Sequence, residues 1–151
     1  MIWTGDGQDS KLTYYGFDLD HIAKLLTAYA LTIPIGWNRE REAHSAGIRT
    51  FPLVALASCG YLLAVANPAD PAATSRVVQG LTAGIGFVGG GAIVKDGATV
   101  HGTATAASIW MTGAIGAAVA LGHWQTAIVM SLVSLFTLRA LTPIKQRLDR
   151  Q

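Results

Sequence analysis

The chain has 151 residues, of which 51% are hydrophobic and only 13% charged. An ordinary soluble domain carries about 25% charged residues, so this composition lacks roughly half the charge of a water-facing surface, and the mean hydropathy is +0.40. The net charge of +2 is spread over separate loops, which argues against a nucleic-acid partner.

In chain order, Met1 to Asp20 is polar and acidic, the reverse of a secretory leader, so the first apolar helix is expected to act as its own insertion signal. Charge-free runs follow from Leu25 to Asn38, Thr50 to Ala69, Val77 to Val94 and Gly97 to Leu138, of 14, 20, 18 and 42 residues. About 20 apolar residues cross a bilayer, and the last run is long enough for two crossings. The expected architecture is all-α, a polytopic membrane bundle of about five helices. These are placed at His21–Trp37, Thr50–Ala66, Val77–Val94, Thr103–Leu121 and Gln125–Leu141. Pro34 and Gly36 are expected to bend the end of the first, Asn67 to Pro71 to stop the second, and Gly122-His123-Trp124 to join the last two as a hairpin.

Domain organisation follows: an acidic N-terminal segment over 1–20, a transmembrane domain over 21–142 and a short basic tail over 143–151. With the N-terminus outside, the inner segments hold eight Lys and Arg residues and the outer ones three. That bias predicts N-out, C-in. The lone Cys59 rules out a disulfide framework and a thiolate metal site.

Three polar or glycine-rich constellations stand out. Gly84-Ile85-Gly86-Phe87-Val88-Gly89 spells GxGxxG, but it lies inside an apolar run, and Ile109 stands 20 positions on where an acidic ribose ligand belongs. A nucleotide site is therefore rejected. The pairs Gly80/Gly84 and Gly86/Gly90 predict close packing of the third and fourth helices; an unwound Gly84–Gly91 stretch lining a polar cavity is the alternative. Gln79, Thr82, Thr103, Thr105, Ser108 and Thr112 are either hydroxyls bonded within the bundle or a polar track between those helices. Asn38-Arg39-Glu40-Arg41-Glu42 with Ala46 to Thr50 is either a solvated loop that sets topology, or a cluster in which Arg39 and Glu40 fold back onto the inner mouth of the bundle.

No Asp or Glu lies within any expected span, whereas cation pathways place carboxylates at membrane depth and Mg²⁺ is held by oxygen ligands. The four histidines are far apart and no phosphate loop is present. No enzyme is expected, no cofactor, and no metal ligand set can be named.

Three segments in order resemble the MgtC/SapB family of bacterial inner-membrane proteins. Gly36-Trp37-Asn38-Arg39-Glu40 with Ala46-Gly47-Ile48-Arg49-Thr50 is similar to G-L-[EN]-R-E…P-A-G-[LI]-R-T. Arg76-Val77-Val78-Gln79-Gly80 through Gly91 resembles R-x-x-x-[QG]-x-x-x-G-I-G-F-[LV]-G-[AG]-G. Val100-His101-Gly102-Thr103-Ala104-Thr105-Ala106-Ala107-Ser108-Ile109-Trp110 resembles V-[RK]-G-L-T-T-A-A-[ST]-[LI]-W. His101 departs from the family's Arg or Lys, and only Thr105 keeps a matching hydroxyl where Thr103-Ala104 replaces Leu-Thr. Longer members carry a soluble C-terminal domain, and none is expected within these 151 residues.

The resemblance implies a multi-pass plasma-membrane protein that supports growth in low magnesium, a role in virulence in some members, and action on partners such as the proton-translocating ATP synthase. The alternative is an oligomeric channel or transporter for Mg²⁺ or another cation, with Mg²⁺ as ligand or cargo. Expected partners are membrane lipids and a second copy or another membrane complex. Site candidates are Asn38, Arg39, Glu40 and Arg49 on the cytoplasmic side, and Gln79, Gly84, Gly86, Gly90, Thr105 and Ser108 along the helices.

Overall fold

A computed structural model describes residues 19–42, 46–65 and 70–148. Almost all of the acidic N-terminal segment, residues 67–69 of the expected turn and the last three residues of the tail lie outside the described residues. Among the described residues five helices form in order: α1 (Leu19–Arg41), α2 (Thr50–Val65), α3 (Pro71–Gly91), α4 (Thr103–Ala120) and α5 (Trp124–Leu148).

Local chemistry accounts for the boundaries. Pro52 sits in the first turn of α2, where its missing N–H would have no partner in any case. Asp70 caps α3, its carboxylate accepting from the Ala73 N–H at 3.0 Å, and Pro71 begins the helix with its dihedral already set. Pro34 is accommodated within a helix that runs on to Arg41. Between α3 and α4 the chain forms a short antiparallel hairpin, β1 (Val94–Asp96) on β2 (Thr99–His101), not anticipated from the charge pattern. Gly97 turns it with φ +58°, the backbone region that two-residue hairpin loops require.

The centre of the bundle is α4, which touches all four other helices and buries ten of its eighteen residues. Its contact with α2 depends on Gly116, where a Cβ would collide with the Ala55 carbonyl. A side chain at Gly113 would strike Ile85 of α3 and come within 3.3 Å of the Ser58 hydroxyl on α2. On α1 the buried residues Ala28, Thr32, Ile35, Gly36 and Arg39 form one stripe at helical spacing. The Ser131 hydroxyl of α5 donates to the Leu31 carbonyl of α1 at 2.6 Å and joins those helices.

Two expectations about the helices need correction. Gly86 and Gly90 do not mediate packing of α3 on α4; an added Cβ at Gly80, Gly84, Gly86 or Gly90 would meet nothing within 4 Å. The close approach is instead at Gly89, whose Cβ would lie 3.2 Å from the Ala106 carbonyl oxygen. The stretch from Gly84 to Gly91 is not unwound either, because α3 continues as an α-helix to Gly91.

Among the described residues, two helical stretches, Thr103–Ala120 and Trp124–Thr142, are long and apolar enough to cross a membrane. The α2 helix is apolar but has 16 residues. The charges of α1 and the many glycines of α3 lower their hydropathy. Much of α5 faces outward, with Leu132, Val133 and Phe136 between 55% and 70% exposed.

Candidate functional site: a charged clasp at one end of the bundle

The C-terminus of α1, the N-terminus of α2, the hairpin and the N-terminus of α4 meet at one end. Arg39 reaches this meeting point from the last turn of α1, where a cation also opposes the partial negative charge of the helix end. Its side chain is 3% exposed. One terminal nitrogen donates to Glu42 Oε2 at 2.8 Å and the other reaches the Thr105 hydroxyl at 3.5 Å. Nε of Arg39 and Oδ1 of Asn38 are buried with no hydrogen-bond partner among the described residues. Burial lowers the Arg39 pKa, and the charge and hydrogen bond of Glu42 act to raise it.

Glu40 completes the clasp from the outer side. Its carboxylate accepts from the Ile48 N–H at 3.1 Å and occupies the place a Cβ would take at Gly47. The absence of a Cβ at Gly36 lets the Ile48 Cα come within 3.0 Å of where that Cβ would stand. Ala46 and Gly47 are buried beneath these contacts. The segment joining α1 and α2 is thus strapped to α1 at its Gly47–Ile48 end by a carboxylate and two glycines.

The structure brings Arg39, Glu40 and Thr105 to one place and leaves other candidates out of it. Arg49 is exposed, and no hydrogen bond or ion pair joins its side chain to the clasp among the described residues. Ser108 and Thr112 are buried on α4 but donate to their own helix, to the Ala104 and Ser108 carbonyls at 2.7 and 2.8 Å. Gln79 and Thr82 are exposed on α3, and Thr82 bonds the Val78 carbonyl. These residues form no continuous polar track between α3 and α4. Gly84, Gly86 and Gly90 are likewise exposed.

Glu42 was not among the site candidates, although it is the direct partner of Arg39. The three-residue spacing between them, which faces two side chains together on a helix, was the available signal.

Fold and site together define a helical bundle with two membrane-capable helices and a buried guanidinium clasping one end. The chain belongs to the MgtC family, whose model matches residues 25–147. It is 37% identical to Protein SrpB of Synechococcus elongatus over 129 residues, covering 76% of this chain and 71% of that one. It is 32% identical to Protein MgtC of Salmonella typhimurium over 130 residues, 86% of this chain and 56% of the relative. Protein MgtC of Brucella abortus is 32% identical over 134 residues, again with 56% of the relative covered. The chain therefore spans little more than half the length of these MgtC relatives. No solved structure matches it.

Proposed function

We propose that this chain is a multi-pass protein of a bacterial inner membrane that supports adaptation to low magnesium by regulating partner membrane proteins. In this reading all five helices cross the bilayer, with the N-terminus outside and the C-terminus in the cytoplasm. The protein performs no catalytic turnover, and the ATP synthase is a candidate partner. The basic residues Arg39, Arg41, Arg49 and Lys95 lie at the clasp end, which supports placing that end in the cytoplasm.

The observation that carries the reading is the buried Arg39. Confining a guanidinium at the end of a bundle costs several kcal/mol unless it is paired; here Glu42 pairs the charge at the end of α1, and the Thr105 hydroxyl 3.5 Å away connects α1 to α4. Around this anchor Glu40, Arg41, Arg49, Lys95 and Asp96 are exposed, a charged surface of the kind a protein partner can recognise.

The test is complementation of growth in low magnesium, paired with immunoblots of membrane fractions. Arg39→Lys and Glu40→Gln are expected to insert normally and to lose complementation. A lysine keeps the charge but not the planar fork that serves Glu42 and Thr105 together. Full complementation by both variants would reduce the clasp to scaffolding. Uptake of Mg²⁺ or another cation by liposomes holding the purified protein would favour the alternative, an oligomeric transporter or channel.

A further inference from the structure

Towards the end opposite the clasp, α3 packs on the bundle along one face only. Gly89 alone among its 21 residues is fully buried; Val77, Leu81 and Ile85 pack half-buried against the core, and the face carrying Gly80, Gly84 and Val88 is open. Between α3 and α2 this leaves an apolar groove of about 570 Å³. Val54, Ala57 and Tyr61 line it from α2 at helical spacing, and Gly80, Gly84 and Val88 line it from α3. The Ser58 hydroxyl in its wall already donates to the Val54 carbonyl at 2.8 Å, so the wall makes no polar demand on an occupant. Arg76 lies at the rim, 70% exposed, with a loose 3.8 Å approach to Asp70 as its ion pair.

We infer that this groove binds one anionic diacyl phospholipid, an acyl chain lying over Gly80 and Gly84 and the phosphate meeting Arg76. Three observations carry this. The groove runs from Arg76 to Val88, twelve residues or about 18 Å of helix, close to the roughly 15 Å depth of one leaflet. Its single charged lining residue is a cation at the end where a headgroup would lie, and a guanidinium presents a fork suited to phosphate oxygens. Its glycines touch nothing, so the missing side chains keep space open for a chain-shaped ligand instead of admitting another helix of the bundle. A second copy packed here about a two-fold axis along the membrane normal would set two Arg76 side chains against each other, which disfavours that occupant. The inference rests on the bilayer placement proposed above, with the Arg76 end at the membrane surface opposite the clasp.

The test begins with alkaline extraction of membranes, which checks the placement by itself: release of the protein would refute the bilayer reading, and the lipid site with it. Protein retained in the membrane is then purified in mild detergent and examined by native mass spectrometry with added phosphatidylglycerol or phosphatidylcholine. The wild type is expected to keep one phosphatidylglycerol and to prefer it about fivefold, the order set by one basic side chain beside anionic lipid. Arg76→Gln should lose the preference and keep weak binding of both lipids. Gly84→Leu and Gly80→Leu should lose retention of both, with helicity and elution volume unchanged, because each new side chain enters open space. Equal retention of the two lipids by the wild type would overturn the proposal. So would undiminished retention in both glycine variants, or a dimer that Gly84→Leu dissolves.

Discussion

The buried face of α4 and the open face of α3 use the same small residues to opposite effect. At Gly116 and Gly113 the missing Cβ lets α4 approach α2 and α3, and the neighbouring Thr112, Ile115 and Val119 are fully buried. At Gly80, Gly84 and Gly86 the missing Cβ meets nothing, and Phe87 beside them is 85% exposed. A GxxxG spacing therefore states that two backbones could approach. Whether they do depends on what the rest of the fold places opposite.

Five substitutions would break or sharpen this contrast, measured as shifts in thermal unfolding of the detergent-solubilised protein. Arg39→Ala should be the most destabilising, because removing one partner of a buried ion pair costs about 3–5 kcal/mol. The lower end of that range is expected, since Glu42 retains 26% exposure and part of its hydration. A cost within experimental error would mean that the guanidinium is not buried.

Gly116→Ala comes next. Its methyl would be driven into the Ala55 carbonyl, backbone that cannot swing aside, and overpacking of this kind costs about 1–3 kcal/mol. An unfolding temperature equal to the wild type would contradict the close α2–α4 contact.

Thr105→Val tests the link between α1 and α4 alone. It keeps the volume and removes the hydroxyl near Arg39, so a loss of about 1 kcal/mol is expected. In a double-mutant cycle with Arg39→Ala, the two losses should fail to add. Strict additivity would show that the 3.5 Å approach carries no energy.

Gly86→Leu should have the smallest effect, within about 0.5 kcal/mol, as expected for a substitution at an exposed site without special contacts. The matched Gly89→Leu should be much worse, because its side chain would meet the Ala106 backbone. Equal losses at the two positions would erase the distinction between the packed and open faces of α3.

Much of this protein is legible in its sequence. Charge-free runs fall where the five helices form, because a long apolar segment satisfies its backbone best as a helix when its side chains avoid water. The starts of α2 and α4 match expectation to the residue. By contrast, α3 begins at Pro71, six residues before the charge-free run, because Asp70 and Pro71 make a cap that hydropathy does not register. The hairpin was missed for a related reason: its Val94, Lys95 and Asp96 are too few and too mixed to announce a strand.

The site divides along the same line. Their place on the segment joining the first two expected helices, in a stretch that resembles the family motif, marked Arg39 and Glu40 as candidates. It left open whether they were solvated or folded back, since that depends on contacts between distant positions. Tertiary structure decided it: Arg39 meets Thr105, 66 residues away, and Glu40 takes the space left by Gly47. The same holds for the glycines. Their number and spacing are properties of the chain, whereas the presence of Ala55 opposite Gly116, and of nothing opposite Gly84, follows from how α4 and α3 are placed. Sequence determined which segments become helices and where the charges cluster, because helix propensity and hydropathy act locally. Only the packed bundle decided which polar groups are paired and which small residues are filled, because pairing and packing are relations between residues far apart in the chain.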